Sequence, residues 1–206
     1  MEIAIYFEGG GDSAETKAML RQGVSAFLKP LVDLARQRRC RWNPIPCGSR
    51  RWAFDAFVDA LDKFPEAFNV LLVDSETAVT ASPRTHLQQL DRWNLNAAQE
   101  DQVRLMAQCM ETWLVADPQA LADYYKQGFN ANALPKRTNL EEEPKAQIFA
   151  ALEAATQHTQ KGSYHKIRHA SELLKKVRPE KVRDRCSHCE RLFKVLATTI
   201  QPEGQC

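Results

Sequence analysis

Asn69-Val70-Leu71-Leu72-Val73-Asp74-Ser75-Glu76 decides how this chain is read. The run from Val70 to Val73 is unbroken and apolar, as expected of a strand covered on both faces of a parallel sheet. It stops at two acids. Toward the N-terminus, Glu2-Ile3-Ala4-Ile5-Tyr6-Phe7 is rich in β-formers and alternates only loosely, so it also reads as a buried strand. Glu8-Gly9-Gly10-Gly11-Asp12-Ser13 breaks that strand. Asp12 or Ser13 then caps a helix expected to run to about Arg39, kinked at Pro30. Arg41 to Cys47 reads as a weaker strand, damaged by Pro44 and Pro46. Ser49 caps a second helix, where Trp52, Phe54, Phe57, Val58 and Leu61 recur at helical spacing. Beyond Glu76, Ser82-Pro83 opens a third helix, Val103 to Cys109 reads as a fourth strand, and Asp117-Pro118 starts another helix.

The texture changes at Gln127. Residues 127–144 read as loop, and helices are expected at about 145–157, 165–176 and 187–198. The predicted architecture is α/β. A central parallel sheet flanked by helices occupies residues 1–126, and a helical, basic C-terminal part, 127–206, packs on it.

Composition bounds the rest. A chain of 206 residues buries a core without disulfide or metal staples. Its 44% apolar and 26% charged content excludes wholesale disorder. No apolar run approaches the ~20 residues of a membrane-spanning helix. Met1 to Phe7 lacks the basic start and long apolar stretch of a signal peptide, so a cytoplasmic protein without membrane attachment is expected. The six cysteines, Cys206 among them, are scattered and read as reduced thiols. The net charge of +2 hides an asymmetry: Lys161 to Lys194 carries 11 basic and 4 acidic residues. A solvated helical face explains that, and so does a polyanion surface made of Arg168, Lys175, Lys176, Arg178, Lys181, Arg183 and Arg185.

Two acidic clusters follow the two strongest strands: Glu8 with Asp12, and Asp74 with Glu76. Ligand sites of open α/β sheets lie beyond the carboxyl ends of the strands. If the two strands are neighbours, four carboxylates converge, and a divalent cation relieves their repulsion. Oxygen ligands without His or Cys favour Mg²⁺ or Mn²⁺. Gly9-Gly10-Gly11 also suits a phosphate loop, but its spacing matches no nucleotide fingerprint. In the C-terminal part, Lys166 and His169 share a helix face, with Lys to hold a phosphate and His to shuttle a proton. His165-x₃-His169 with Cys186-x₂-Cys189 has zinc-like residue types, but the order and the long gap favour thiol packing.

Ile5-Tyr6-Phe7-Glu8-Gly9-Gly10-Gly11-Asp12 resembles the strand-then-EGxxE/D signature of the Toprim superfamily, especially its OLD-type nucleases. Leu71-Leu72-Val73-Asp74-Ser75-Glu76 resembles the superfamily's DxD motif, with Glu in the last place. Met110-Glu111-Thr112-Trp113-Leu114 is similar to the ExWL segment of small stand-alone Toprim-like proteins of prokaryotic defence loci. Tyr164 to His169, followed by Leu173-Leu174, is similar to that group's C-terminal part. The resemblance implies a Toprim-like fold and Mg²⁺-dependent cleavage of RNA or DNA. It makes Glu8 a metal ligand or general acid/base, and Asp12, Asp74 and Glu76 metal ligands. Glu111, Lys166 and His169 join as supporting catalytic residues. It also implies a separately encoded ATPase partner. A non-catalytic adaptor using the basic helices is the alternative. The oligomeric state stays open, a homodimer included.

Overall fold

The computed structural model describes residues 1–201; Cys206 lies outside them. The fold is α/β, with one four-stranded, all-parallel sheet and helices on both faces. The strands are β1 (Glu2–Phe7), β2 (Arg41–Pro46), β3 (Ala67–Asp74) and β4 (Val103–Met106), in the order β2-β1-β3-β4. β1 and β3 are adjacent and in register from Glu2↔Ala67 to Phe7↔Leu72. Their carboxyl ends therefore open side by side. β2 is an edge strand, which is why Pro44 and Pro46 do it little harm: the outer side needs no ladder donors.

The helix expected to run to about Arg39 is two helices, α1 (Ala14–Phe27) and α2 (Lys29–Gln37). Pro30 cannot donate its i→i−4 bond, so the chain breaks at Leu28 and Pro30 falls in the first turn of α2. Ser13 and Ser49 cap α1 and α3 (Arg50–Lys63), each accepting a backbone N–H three residues on. α4 (Pro83–Asp91) starts at Ser82 as expected. β4 stops at Met106, short of the expected Cys109. The register pairs Asp74, the last residue of β3, with Met106, and beyond them the two segments keep only the Ser75 N–H to Met106 and Glu76 N–H to Gln108 carbonyl bonds. Met110–Val115 forms α5, and Asp117 caps α6 (Pro118–Tyr125).

The C-terminal part contains α7 (Lys145–Thr156), α8 (Lys166–Leu174), α9 (Pro179–Arg185) and α10 (Ser187–Ile200). α9 was not expected from the sequence; its single apolar buried residue, Val182, sets up no period. One core joins Ile3, Ile5, Phe7, Val70 and Leu72 of the sheet to α1, α2, α5 and the C-terminal helices. A second core joins the opposite face to α3 and α4. Phe27 of α1 stacks on Trp113 of α5 at 5.0 Å and meets Phe193 of α10 edge-on. α8 lies close against α1. A Cβ on Gly23 would come within 2.7 Å of the Ser171 carbonyl, so only glycine permits this approach. No helix among the described residues is long and apolar enough to cross a membrane.

Candidate functional site

Glu8 follows β1, Asp74 ends β3 and Glu76 lies two residues beyond. Adjacent parallel strands thus deliver three carboxylates to one sheet edge, with ligand oxygens all within 4.8 Å of one another. Among the described residues they form the one His, Cys, Asp and Glu group arranged to hold a metal ion. Asp74 is buried. Its Oδ1 accepts the Met110 N–H at 2.8 Å, and its own N–H donates to Glu8 Oε1 at 3.2 Å. Glu76 adopts a left-handed backbone, φ 64°, and its N–H donates to the Gln108 carbonyl. These bonds fix where all three side chains begin.

Asp12 does not join them. The Gly9–Gly48 bridge ties the β1–α1 loop to the β2 side of the sheet, opposite to β3, and leaves Asp12 exposed.

Three cations surround the group. Lys145 Nζ, at the start of α7, lies 2.8 Å from both Glu76 oxygens and 3.2 Å from Asp74 Oδ2. Lys166 Nζ lies 4.0 Å from Asp74 and 3.6 Å from Glu111. Arg50, at the start of α3, pairs with Asp91 at 2.7 Å, approaches Glu8 at 3.5 Å and donates to the Asp74 carbonyl. Burial pushes the Glu8 carboxyl up to about 8, with the Asp74 charge adding to the shift and Arg50 and Lys166 opposing it. Burial acts to lower the Lys145 and Lys166 ammonium groups, but the carboxylates reverse it and both are raised. Burial also raises the nearby Cys109 thiol to about 12, aided by Glu111 and Asp74, which keeps it a neutral packing group.

Glu111 is fully buried. Its Oε1 accepts from the Tyr164 hydroxyl at 3.0 Å, and its Oε2 has no hydrogen-bond partner. His169 turns away from this centre. Its Nδ1 accepts from the Tyr125 hydroxyl at 3.0 Å and the His165 N–H at 3.1 Å, so Nε2 carries the proton. Burial lowers it further from the charged form. The three-residue step that brings Lys166 to the carboxylates places the His169 ring among Tyr124, Tyr125 and Tyr164.

Four of the seven candidate cations of the basic segment bond to other groups of the protein at its surface. Arg178 forms a bidentate pair with buried Asp117, Lys175 pairs with Glu172, and Arg183 with Glu190. Arg185 donates to the Pro135 and Arg137 carbonyls. Arg168, Lys176 and Lys181 are exposed and make no salt bridge to the described residues. Cys186 and Cys189 are buried in the main core rather than gathered with His165 and His169.

The sequence reading missed Arg50, Asp91, Lys145 and Tyr164 as members of the centre. Arg50 carried a usable signal, since the first residue of a helix after a parallel strand stands at the carboxyl edge. Lys145 carried none, because the 127–144 segment that delivers it has no period. Gln108 anchors that delivery, accepting the Lys145 N–H at 3.3 Å and donating to the Glu141 carbonyl at 3.2 Å.

No curated protein and no solved structure matches this chain significantly. A family model does, over residues 7–197, nearly its whole length and including every residue of the centre. The chain therefore belongs to the DUF4276 family, a domain of unknown function.

Proposed function

We propose that the protein is a divalent-cation-dependent nuclease that hydrolyses phosphodiester bonds in RNA or DNA. The observation that carries this reading is the convergence of Glu8, Asp74 and Glu76 at one parallel-sheet edge with Lys166 beside them. Their chemistry fits Mg²⁺ or Mn²⁺: hard oxygen donors with no nitrogen or sulfur. The charge fits as well. Glu8, Asp74, Glu76, Asp91 and Glu111 face Arg50, Lys145 and Lys166, which leaves two negative charges when all are ionised. Glu8, Asp74 and Glu76 would hold the ion, which when bound supplies Lewis-acid activation of a phosphate ester. Lys166 then offers its ammonium to the phosphate. Buried Glu111, steadied by Tyr164, holds Lys166 there and acts as a positioning residue. The resemblance to Toprim-like proteins points the same way, and it alone supports an effector role beside a separately encoded ATPase in antiviral defence.

One observation favours a second reading, an adaptor without catalysis. Lys145 already bridges Asp74 and Glu76 as an internal counter-ion. Asp74→Asn separates the two. For a nuclease, Mg²⁺ raises the melting temperature of the wild type but not of the variant. Cleavage of mixed RNA and single- and double-stranded DNA falls about a hundredfold or more. A protein indifferent to Mg²⁺, whose variant melts much earlier, is the adaptor.

A further inference from the structure

Beside the carboxylates lies a cavity of about 220 Å³. Its walls include the Gly9–Gly11 loop, Leu20 of α1, Met110 of α5, and Lys166 and Ile167 of α8. Thr16, Ala170 and Ser171 complete the lining, so glycine backbone and apolar side chains make up most of the wall and two hydroxyl residues and Lys166 supply its polar groups. Two residues join the cavity to the acidic centre. Lys166 lines the cavity and places its Nζ 4.0 Å from Asp74. Met110 lines it and gives its N–H to Asp74 Oδ1. Ile167 is half exposed, an apolar side chain bordering an apolar hollow. Ligand sites have this character: concave, mostly apolar, with a few placed polar groups.

We propose that this cavity receives one unstacked nucleobase next to the phosphate at the carboxylates, which makes single-stranded nucleic acid the substrate class. The inference rests on the nuclease reading. A phosphodiester at the centre always carries a base beside it, and every base has an apolar face. A base in a duplex is covered by its stacked neighbours and held by its partner, so it enters a walled hollow only after leaving the stack. Lys166 reaches both places at once, and so ties the seating of the base to the position of the phosphate.

Gly11 provides the test. Its φ is +60°, a conformation that Asn tolerates, and an added Cβ would meet only Thr16 Oγ1 at 3.6 Å and Ile167 Cδ1 at 3.9 Å. Gly11→Asn therefore adds a side chain beside Ile167 at the cavity wall, its Cβ in ordinary van der Waals contact, at the backbone cost that Asn bears least among the larger residues. The measurement is fluorescence anisotropy of labelled single-stranded RNA and DNA, matched duplexes, and fully abasic chains of equal length, with Ca²⁺ in place of Mg²⁺. The wild type should prefer the single strand over both the duplex and the abasic chain by about tenfold. Gly11→Asn, with an unchanged melting temperature, should lose that preference and keep its affinity for the abasic chain. Ile167→Gln, at an exposed position, should weaken the preference in the same way if the Gly11 variant folds poorly. Equal binding of abasic and intact strands overturns the base site and leaves the nuclease reading standing. So does a folded Gly11→Asn that keeps the preference. No binding to any strand overturns both.

Discussion

Lys145 is the residue on which the centre turns. Its ammonium touches Asp74 Oδ2 and both Glu76 oxygens, so an ion held by these carboxylates would compete with Lys145 for its place. Lys145→Met keeps an unbranched side chain up to the position of Cε and removes the ammonium with its charge. Calorimetry should show Mn²⁺ bound about tenfold more tightly, since each tenfold corresponds to ~1.4 kcal/mol. The metal-free variant should melt earlier, because the carboxylates lose their counter-ion. Weaker Mn²⁺ binding would mean that Lys145 supports the ion rather than opposing it. Glu8 gives a second signature. Its carboxyl is raised from 4.5 to about 8 in the fold, so folding favours the protonated form. That stabilisation is complete below the unfolded value and is lost as pH rises through the folded one. The melting temperature of the metal-free protein should therefore fall as pH climbs from about 4.5 past 8. Glu8→Gln, which imitates the protonated acid, should flatten that fall, and an unaltered slope would assign it elsewhere.

At the scale of elements, the basic C-terminal helices divide into cations that build the fold and cations left at the surface. Asp117 is buried, caps α6 and accepts two guanidinium bonds and the backbone N–H of Arg178. Arg178→Glu puts two like charges together at that cap, and the melting temperature should drop sharply. Lys176→Glu with Lys181→Glu should leave it nearly unchanged, because neither side chain is paired in the described structure. If those two substitutions weaken binding to nucleic acid, the weakening should itself be salt-dependent, through counterion release. Equal melting of the two variants would show that the Asp117 pair does not hold α6 in place. The elements also mark where periodicity succeeds. β1, β3 and the helix that Ser49 caps were legible because buried strands and amphipathic helices repeat their apolar residues. The break between α1 and α2 was legible as a kink, because Pro30 causes it locally, whereas the early end of β4 was not, since it depends on where β3 ends.

At the scale of the molecule, the C-terminal helices complete the core that the N-terminal strands begin. Phe27, Trp113 and Phe193 come from three distant segments and meet in one packed group. Phe27→Ala should cost about 3–5 kcal/mol, the usual range for deleting a buried aromatic ring. Urea unfolding followed by circular dichroism and by tryptophan fluorescence should stay coincident, as in a single cooperative unit. Two separated transitions would show that residues 127–201 unfold independently.

The sequence by itself determined the parallel α/β sheet and the arrival of Glu8, Asp74 and Glu76 at its carboxyl edge. An apolar run ending in acids constrains both the strand and the residues just past it, and that constraint is local. The three clustered carboxylates were therefore readable in advance, whereas Asp91 was not, and Asp12, expected with them, is held on the β2 side by the Gly9–Gly48 bridge. Lys166 was named from the sequence, but only the tertiary structure decided how the basic half pairs with the acids. Arg50, Lys145 and Lys166 come from three helices, and nothing periodic in their segments records which charge each one meets. It likewise decided that most of the C-terminal basic residues bond to the protein itself. Net charge counts cations along a chain, whereas an ion pair depends on which distant carboxylate the fold brings within about 4 Å.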